Sequence, residues 1–63
     1  MEFVDCVRIV LMTEHHRTEE SADDLIERFP NIIRKAMRLR RGNYRACAIA
    51  LERADILDED ASP

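Results

Sequence analysis

The residues best suited to chemistry lie in one short basic segment. Six positively charged side chains occupy twelve consecutive positions: Arg34, Lys35, Arg38, Arg40, Arg41 and Arg45. Cations at this density would contact several phosphates of a nucleic acid, and their binding would weaken steeply as salt rises. They would equally anchor a protein partner that presents an acidic surface. The third alternative is that they are solvated helix faces, neutralised by acids from elsewhere in the chain.

The chain is acidic on both sides of this segment. Residues 1–33 carry eight acids and three bases, residues 34–53 one acid and seven bases, and residues 54–63 four acids and no base. A basic block between two acidic ones can pair with a second copy of the chain, or one surface can imitate nucleic acid. The partners that we expect are a second copy, and DNA or an acidic protein surface.

Catalytic and metal-binding patterns have little support. His15 and His16 are neighbours in a polar stretch, point in different directions and lack a Cys or His partner at ligand spacing. Cys47 lies where a helix needs a small packed residue, and Cys6 lies in another apolar run, so we expect two buried, reduced thiols. One glycine leaves no Gly-rich phosphate loop. We therefore predict no enzyme, no metal, no cofactor and no small-molecule substrate.

Length and composition predict one helical domain over residues 1–63. The chain is 46% apolar and 37% charged, which is typical of a folded soluble domain. Asp5 and Arg8 interrupt the first apolar run, so it does not resemble a secretory signal, and no run approaches the ~20 apolar residues of a membrane span. We expect a cytoplasmic protein without membrane contact. An origin in a phage or mobile element would suit a regulator of this length.

Residues 2–15 contain the most apolar segment of the chain. The polar residues Glu2, Asp5 and Arg8 recur at every third position, which favours a helix over a strand. Such a helix is apolar around most of its circumference, and a chain of 63 residues can hardly cover so much surface. We therefore predict a homodimer that forms through this helix. The interface residues would be Phe3, Val7, Val10 and Leu11.

Local signals place the other helices. Ser21 resembles an N-cap for a short second helix, and Pro30 fits the first turn of a third. Gly42 would supply the left-handed residue that ends the third helix, and Asn43 would cap the fourth. Residues 58–63 are expected to be a frayed acidic end. The sequence predicts an all-α bundle of three to four short helices.

The segment from Ile33 to Leu51 resembles the first half of a known helix-turn-helix. The family comprises the factor for inversion stimulation and the carboxyl end of NtrC-type activators. It shows an apolar helix, Gly-Asn, three variable residues, two small residues, two more and a leucine. This chain supplies Gly42-Asn43, Tyr44-Arg45-Ala46, Cys47-Ala48, Ile49-Ala50 and Leu51.

The resemblance implies a helix-turn-helix-like carboxyl-terminal half and a DNA-associated role. In the family, a glycine turn and a recognition helix for the major groove follow the leucine. Here Leu51 is followed by acidic residues without a glycine, and those acids would repel phosphates. We therefore expect a small non-enzymatic regulator that binds DNA through a basic, degenerate helix-turn-helix. The alternative is a protein-binding inhibitor or adaptor that acts on a host protein through the apolar amino-terminal helix and the arginine face.

Replacement of the only glycine tests the predicted turn. If Gly42 has a positive φ angle, Gly42→Ala should lower the free energy of unfolding by about 1 kcal/mol, measured by urea denaturation. An unchanged or higher stability would show that no left-handed turn exists at this position.

Overall fold

The computed structural model describes residues 2–39 and 43–57, which form four α-helices without a strand. The helices are α1 (Phe3–Glu14), α2 (Glu19–Arg28), α3 (Pro30–Arg38) and α4 (Tyr44–Leu57). The predicted all-α class is confirmed, and so is the helical conformation of the first apolar segment. Arg40, Arg41, Gly42 and the acidic end at 58–63 lie outside the described residues, so the predictions made for them stay predictions.

Short polar side chains define where two of the helices begin. The Asn43 side-chain oxygen accepts a hydrogen bond from the Ala46 amide at 3.0 Å, so Asn43 caps α4 as predicted. The predicted N-cap at Ser21 is wrong, because α2 begins three residues earlier. The Thr18 hydroxyl accepts from the Ser21 amide at 3.1 Å. The Ser21 hydroxyl instead accepts from the Arg17 guanidinium at 2.8 Å.

The connection between α1 and α2 is short and tightly bonded. His16 has a φ angle of 55°, which costs a residue with a Cβ about 1–2 kcal/mol. The next residue, Arg17, donates its amide to the Leu11 carbonyl at 3.1 Å and so satisfies one of the last carbonyls of α1. This reversal directs the Arg17 side chain towards α4, where it contacts Glu52.

A single core joins the four helices. α4 packs against α1, α2 and α3, and α1 also packs against α2. Alanines at the contacts, such as Ala22 and Ala48, leave room for close approach of the helices. The buried residues are Val7, Leu11, Ala22, Leu25, Phe29, Ile32, Ile33, Cys47, Ala48, Leu51 and Ala54.

The core includes two residues that the sequence assigned to a dimer interface. Val7 and Leu11 have no exposed surface, because α2 and α4 together cover this side of α1. Their assignment to an interface is therefore wrong for the folded chain. Phe3 and Val10 are half-buried and pack against the same core. The homodimer itself stays a prediction, and the exposed apolar residues of α1 are Ile9 and Met12.

Charge insertion at Val7 tests this packing. Val7→Glu would place a carboxylate in the core, so we expect a loss of about 3 kcal/mol or more and a largely unfolded circular dichroism spectrum. Ile9→Glu is the control, since Ile9 is 43% exposed on the same helix and should change stability by less than about 1 kcal/mol. A folded Val7→Glu variant of wild-type stability would contradict the core described here.

Candidate functional site

Three of the six predicted cations lie together on α3. Arg34, Lys35 and Arg38 are exposed, and Arg34 and Arg38 are four residues apart on one side of the helix. No acid of residues 2–39 or 43–57 forms an ion pair with any of the three. Together they form the basic face of α3.

Arg45 differs from the cations of α3 in having an acidic neighbour. Its Nε lies 3.0 Å from Glu14 Oε2 at the end of α1. The Arg45 side chain is 77% exposed, so this pair contributes less than about 1 kcal/mol. Arg45 lies on α4 and does not belong to the basic face of α3.

Arg53 is a cation that sequence reasoning did not select. It is exposed on α4, and it also has no ion-pair partner in the described part of the chain. The sequence spacing could have indicated this residue. Arg53 follows Ala50 by three residues and so shares its side of α4, whereas Glu52 and Asp55, which form ion pairs, lie on another side.

Two arginines bind the acids Glu52 and Asp55 of α4. Arg17 comes from the connection between α1 and α2, and Arg28 comes from α2. Arg17 lies at the centre of this ion-pair cluster, which we define as Arg17, Arg28, Glu52 and Asp55. Its Nε lies 2.8 and 3.0 Å from the two carboxylate oxygens of Glu52, and its second terminal nitrogen lies 3.0 Å from Asp55 Oδ2. Arg28 reaches the other oxygen of Asp55 at 2.9 Å. Glu52 and Asp55 are therefore neutralised within the chain.

These contacts change the proton affinity of the cluster. The hydrogen bond from Arg17 has the largest effect on Asp55 and lowers its pKa; burial opposes this, and the hydrogen bond from Arg28 adds to the lowering. The hydrogen bond to Glu52 raises the pKa of Arg17, which is cationic at any physiological pH. The pKa of Asp55 is lower in the folded state than in the unfolded state. The ion pairs of Asp55 therefore stabilise the fold at neutral pH, and this stabilisation is lost as the pH falls through the pKa of the folded state.

An apolar groove of about 370 Å³ lies between α3 and α4. We call it the α3–α4 groove. Among the described residues, Lys35 and Asn43 are the polar ones that line it, and the Asn43 oxygen is already used as the cap of α4. The apolar lining comprises Ile32, Ala36, Leu39, Ala46, Cys47 and Ala50. Such a surface fits apolar groups better than a polar metabolite, which would need several convergent hydrogen-bonding groups.

Cys47 in the groove is not poised for nucleophilic chemistry. Burial raises its pKa to about 11, so the thiol is protonated at neutral pH. Cys47 is buried as predicted, whereas Cys6 is only half-buried, and both thiols are free.

The remaining candidate groups have structural contacts. The Tyr44 ring lies 5.4 Å from the Phe3 ring, an arrangement in which it packs on α1. His15 Nδ1 is 4.0 Å from Glu52 Oε1 at the edge of the ion-pair cluster. Over the described residues, no three metal-binding side chains are grouped together.

Exposed apolar residues continue along α4 beyond the groove. Ile49 is 50% exposed, Ile56 83% and Leu57 69%. Ile49, Arg53 and Ile56 follow one another at spacings of four and three residues, so they form one stripe on the outer face of α4. This face adjoins the groove, because Ile49 is next to Ala50 in the chain.

The second half of a helix-turn-helix is not seen among the described residues. α4 continues without a break from Tyr44 to Leu57, so the positions after Leu51 are helix interior where the resembling family has a turn. Comparison of the chain with protein-family models, curated proteins and solved structures finds no match. None of the four described helices is both long and apolar enough to cross a membrane.

Loss of Arg17 tests the ion-pair cluster. Arg17→Ala should lower the free energy of unfolding by about 1–2 kcal/mol at pH 7, because two carboxylates lose charged hydrogen-bond donors. The difference from wild type should narrow as the pH is lowered from 7 through the depressed pKa of Asp55, because this carboxyl no longer pairs with a cation once it is protonated. Urea titrations at pH 7 and at low pH measure this change.

Arg45→Ala is the matched control, with an expected effect below about 1 kcal/mol at either pH. An Arg17→Ala variant that is as stable as wild type, or a difference independent of pH, would contradict the assigned role of the cluster.

Proposed function

We propose that this chain is a small, non-catalytic regulatory protein that binds an acidic protein partner through the basic face of α3. One observation carries this proposal. Of the eight cations in the described residues, four pair with acids of the chain, and these are Arg8, Arg17, Arg28 and Arg45. The other four lie on α3 and α4, and they are Arg34, Lys35, Arg38 and Arg53. Cations without partners among the described residues, on two helices that pack together, fit an external acidic group.

The surroundings of the basic face favour a protein over a nucleic acid. The neighbouring α3–α4 groove is apolar, and a sugar-phosphate backbone has no group that would fill it. Binding of single strands usually uses aromatic platforms, yet the ring of Tyr44 packs on Phe3. A protein segment with both apolar and acidic side chains would use the groove and the cations together.

DNA is the second candidate partner. Arg34, Lys35 and Arg38 lie on one helix, and Arg40 and Arg41 follow them in the sequence. Such a row would bind duplex phosphates without reading bases, so a recognition helix would not be needed. The affinity would then fall steeply with salt.

The proposed setting is the cytoplasm. Free Cys6 and Cys47 fit a reducing compartment. An inhibitor or adaptor acting on a host protein, and encoded by a phage, would fit both the length of the chain and a function that depends on binding alone.

Removal of two cations from the basic face tests the proposal. The immobilised wild-type chain and the variant Arg34→Ala/Arg38→Ala are incubated with an extract of the source organism, with and without nuclease. We expect a protein that wild type retains after nuclease and that the double variant retains at least about ten-fold less, since two interface cations are gone. Arg45→Ala, which removes a cation outside the basic face, should retain it as wild type does.

A duplex of random sequence provides the opposing measurement. We expect no binding at micromolar concentration in 50 mM salt by fluorescence anisotropy. Binding whose salt slope falls by about 2 in the double variant would favour DNA instead. Equal retention of the protein by all three chains would refute a role of the basic face in partner binding.

A further inference from the structure

Exposed cations lie on both helices that form the α3–α4 groove. Lys35 lines it from α3. Arg53 lies one helical turn after the lining residue Ala50, on the α4 side. Both cations are exposed and have no acidic partner in the parts of the chain that are described. An apolar channel with a cation on each of its two helices complements a segment that is apolar along its centre and acidic along both edges.

The walls of the groove restrict the conformation of such a segment. Both walls are α-helices, whose interior amides and carbonyls bond within each helix, so the groove offers no strand edge to an extended peptide. A polyproline segment would need an aromatic-lined groove, and the described residues that line this one include no aromatic side chain. An amphipathic helix needs only an apolar channel, and Ala36, Ala46 and Ala50 leave room for its side chains.

A second copy of this chain is a poor occupant. Across a two-fold axis through the groove, Lys35 and Arg53 would face cations of the other copy, which is unfavourable. The most acidic described helix is α2, but Ala22 and Leu25 on its apolar side are buried in the core of its own chain. α2 therefore cannot offer an apolar stripe to another groove without unfolding.

We infer that the α3–α4 groove binds one amphipathic α-helix of the partner protein, with its apolar side chains in the groove and its carboxylates against Lys35 and Arg53. This inference rests on the proposed function and adds the conformation and the side-chain pattern of the partner segment. The lining residue Leu39 is exposed, and the exposed Ile49, next to Ala50 on α4, offers further apolar surface.

Two designed peptides serve as probes. Each has 18 residues, strong helix formers and leucines at positions i, i+3, i+4 and i+7, and the leucine stripe is flanked by Glu in one peptide and by Lys in the other. Each is titrated into the ¹⁵N-labelled chain. The Glu peptide should shift the amide signals of Ala36, Ala46 and Ala50, leave that of Ala22 in place, and bind on the order of ten-fold more tightly than the Lys peptide. High salt should reduce this preference.

A leucine within the groove provides the matched variant. Ala46→Leu fills part of the channel from an exposed position and should weaken binding of the Glu peptide about ten-fold. Thr13→Leu adds the same side chain to the exposed surface of α1 and should bind as wild type does. Arg53→Ala removes an exposed cation of α4, and it should reduce the preference for the Glu peptide without filling the channel.

Three results would overturn the inference. These are an absence of shifts at the groove, equal affinity for the two peptides, and groove shifts that grow with protein concentration alone, which would assign the groove to a second copy.

Capture from extract separates this inference from the proposed function. A partner lost by Arg34→Ala/Arg38→Ala but kept by Ala46→Leu would uphold the basic face and reject the groove. A partner lost by Ala46→Leu but kept by Arg34→Ala/Arg38→Ala would uphold the groove and reject the basic face. A partner kept by both variants would reject the groove and the basic face alike.

Discussion

The bonds from Arg17 to Glu52 and Asp55 determine how charge is distributed over this protein. They join the α1–α2 connection to the last turns of α4, and Ser21 holds the same guanidinium from α2. A side chain of this kind satisfies several acceptors at once, because its donors are fixed in one plane. The reversal at His16, which has an unfavourable backbone conformation, directs Arg17 towards these acids.

One consequence concerns the cations of α3. Since Arg17 and Arg28 occupy Glu52 and Asp55, these acids do not neutralise the basic face. The same contacts leave α4 with its acids on one side and with Ala46, Ala50 and the exposed Ile49 on another. Apolar surface and cations that have no acidic partner among residues 2–39 and 43–57 thus meet around the α3–α4 groove, and this combination is the basis of the proposal that the chain binds an acidic protein segment.

Much of the fold was predictable because its causes are local. Apolar residues at helical spacing, the cap at Asn43 and the proline at the start of α3 act within one or two turns. The N-cap of α2 was missed because two hydroxyl residues, Thr18 and Ser21, compete for the same role, and Arg17 takes the second hydroxyl. The burial of Val7 was missed because periodicity along α1 cannot show which side α2 and α4 will cover.

By itself the sequence determined an all-α bundle of three to four short helices and a basic segment near the last junction, since propensity, capping and charge depend on neighbouring residues. Only the tertiary structure decided which cations are available to a partner. The acids that pair with Arg17 lie 35 and 38 residues away in the chain, and Arg45 pairs with Glu14 while Arg53 has no described partner. The groove likewise depends on how α3 and α4 pack. Ion pairs and cavities form between elements, and their distances are set only when the core brings those elements together.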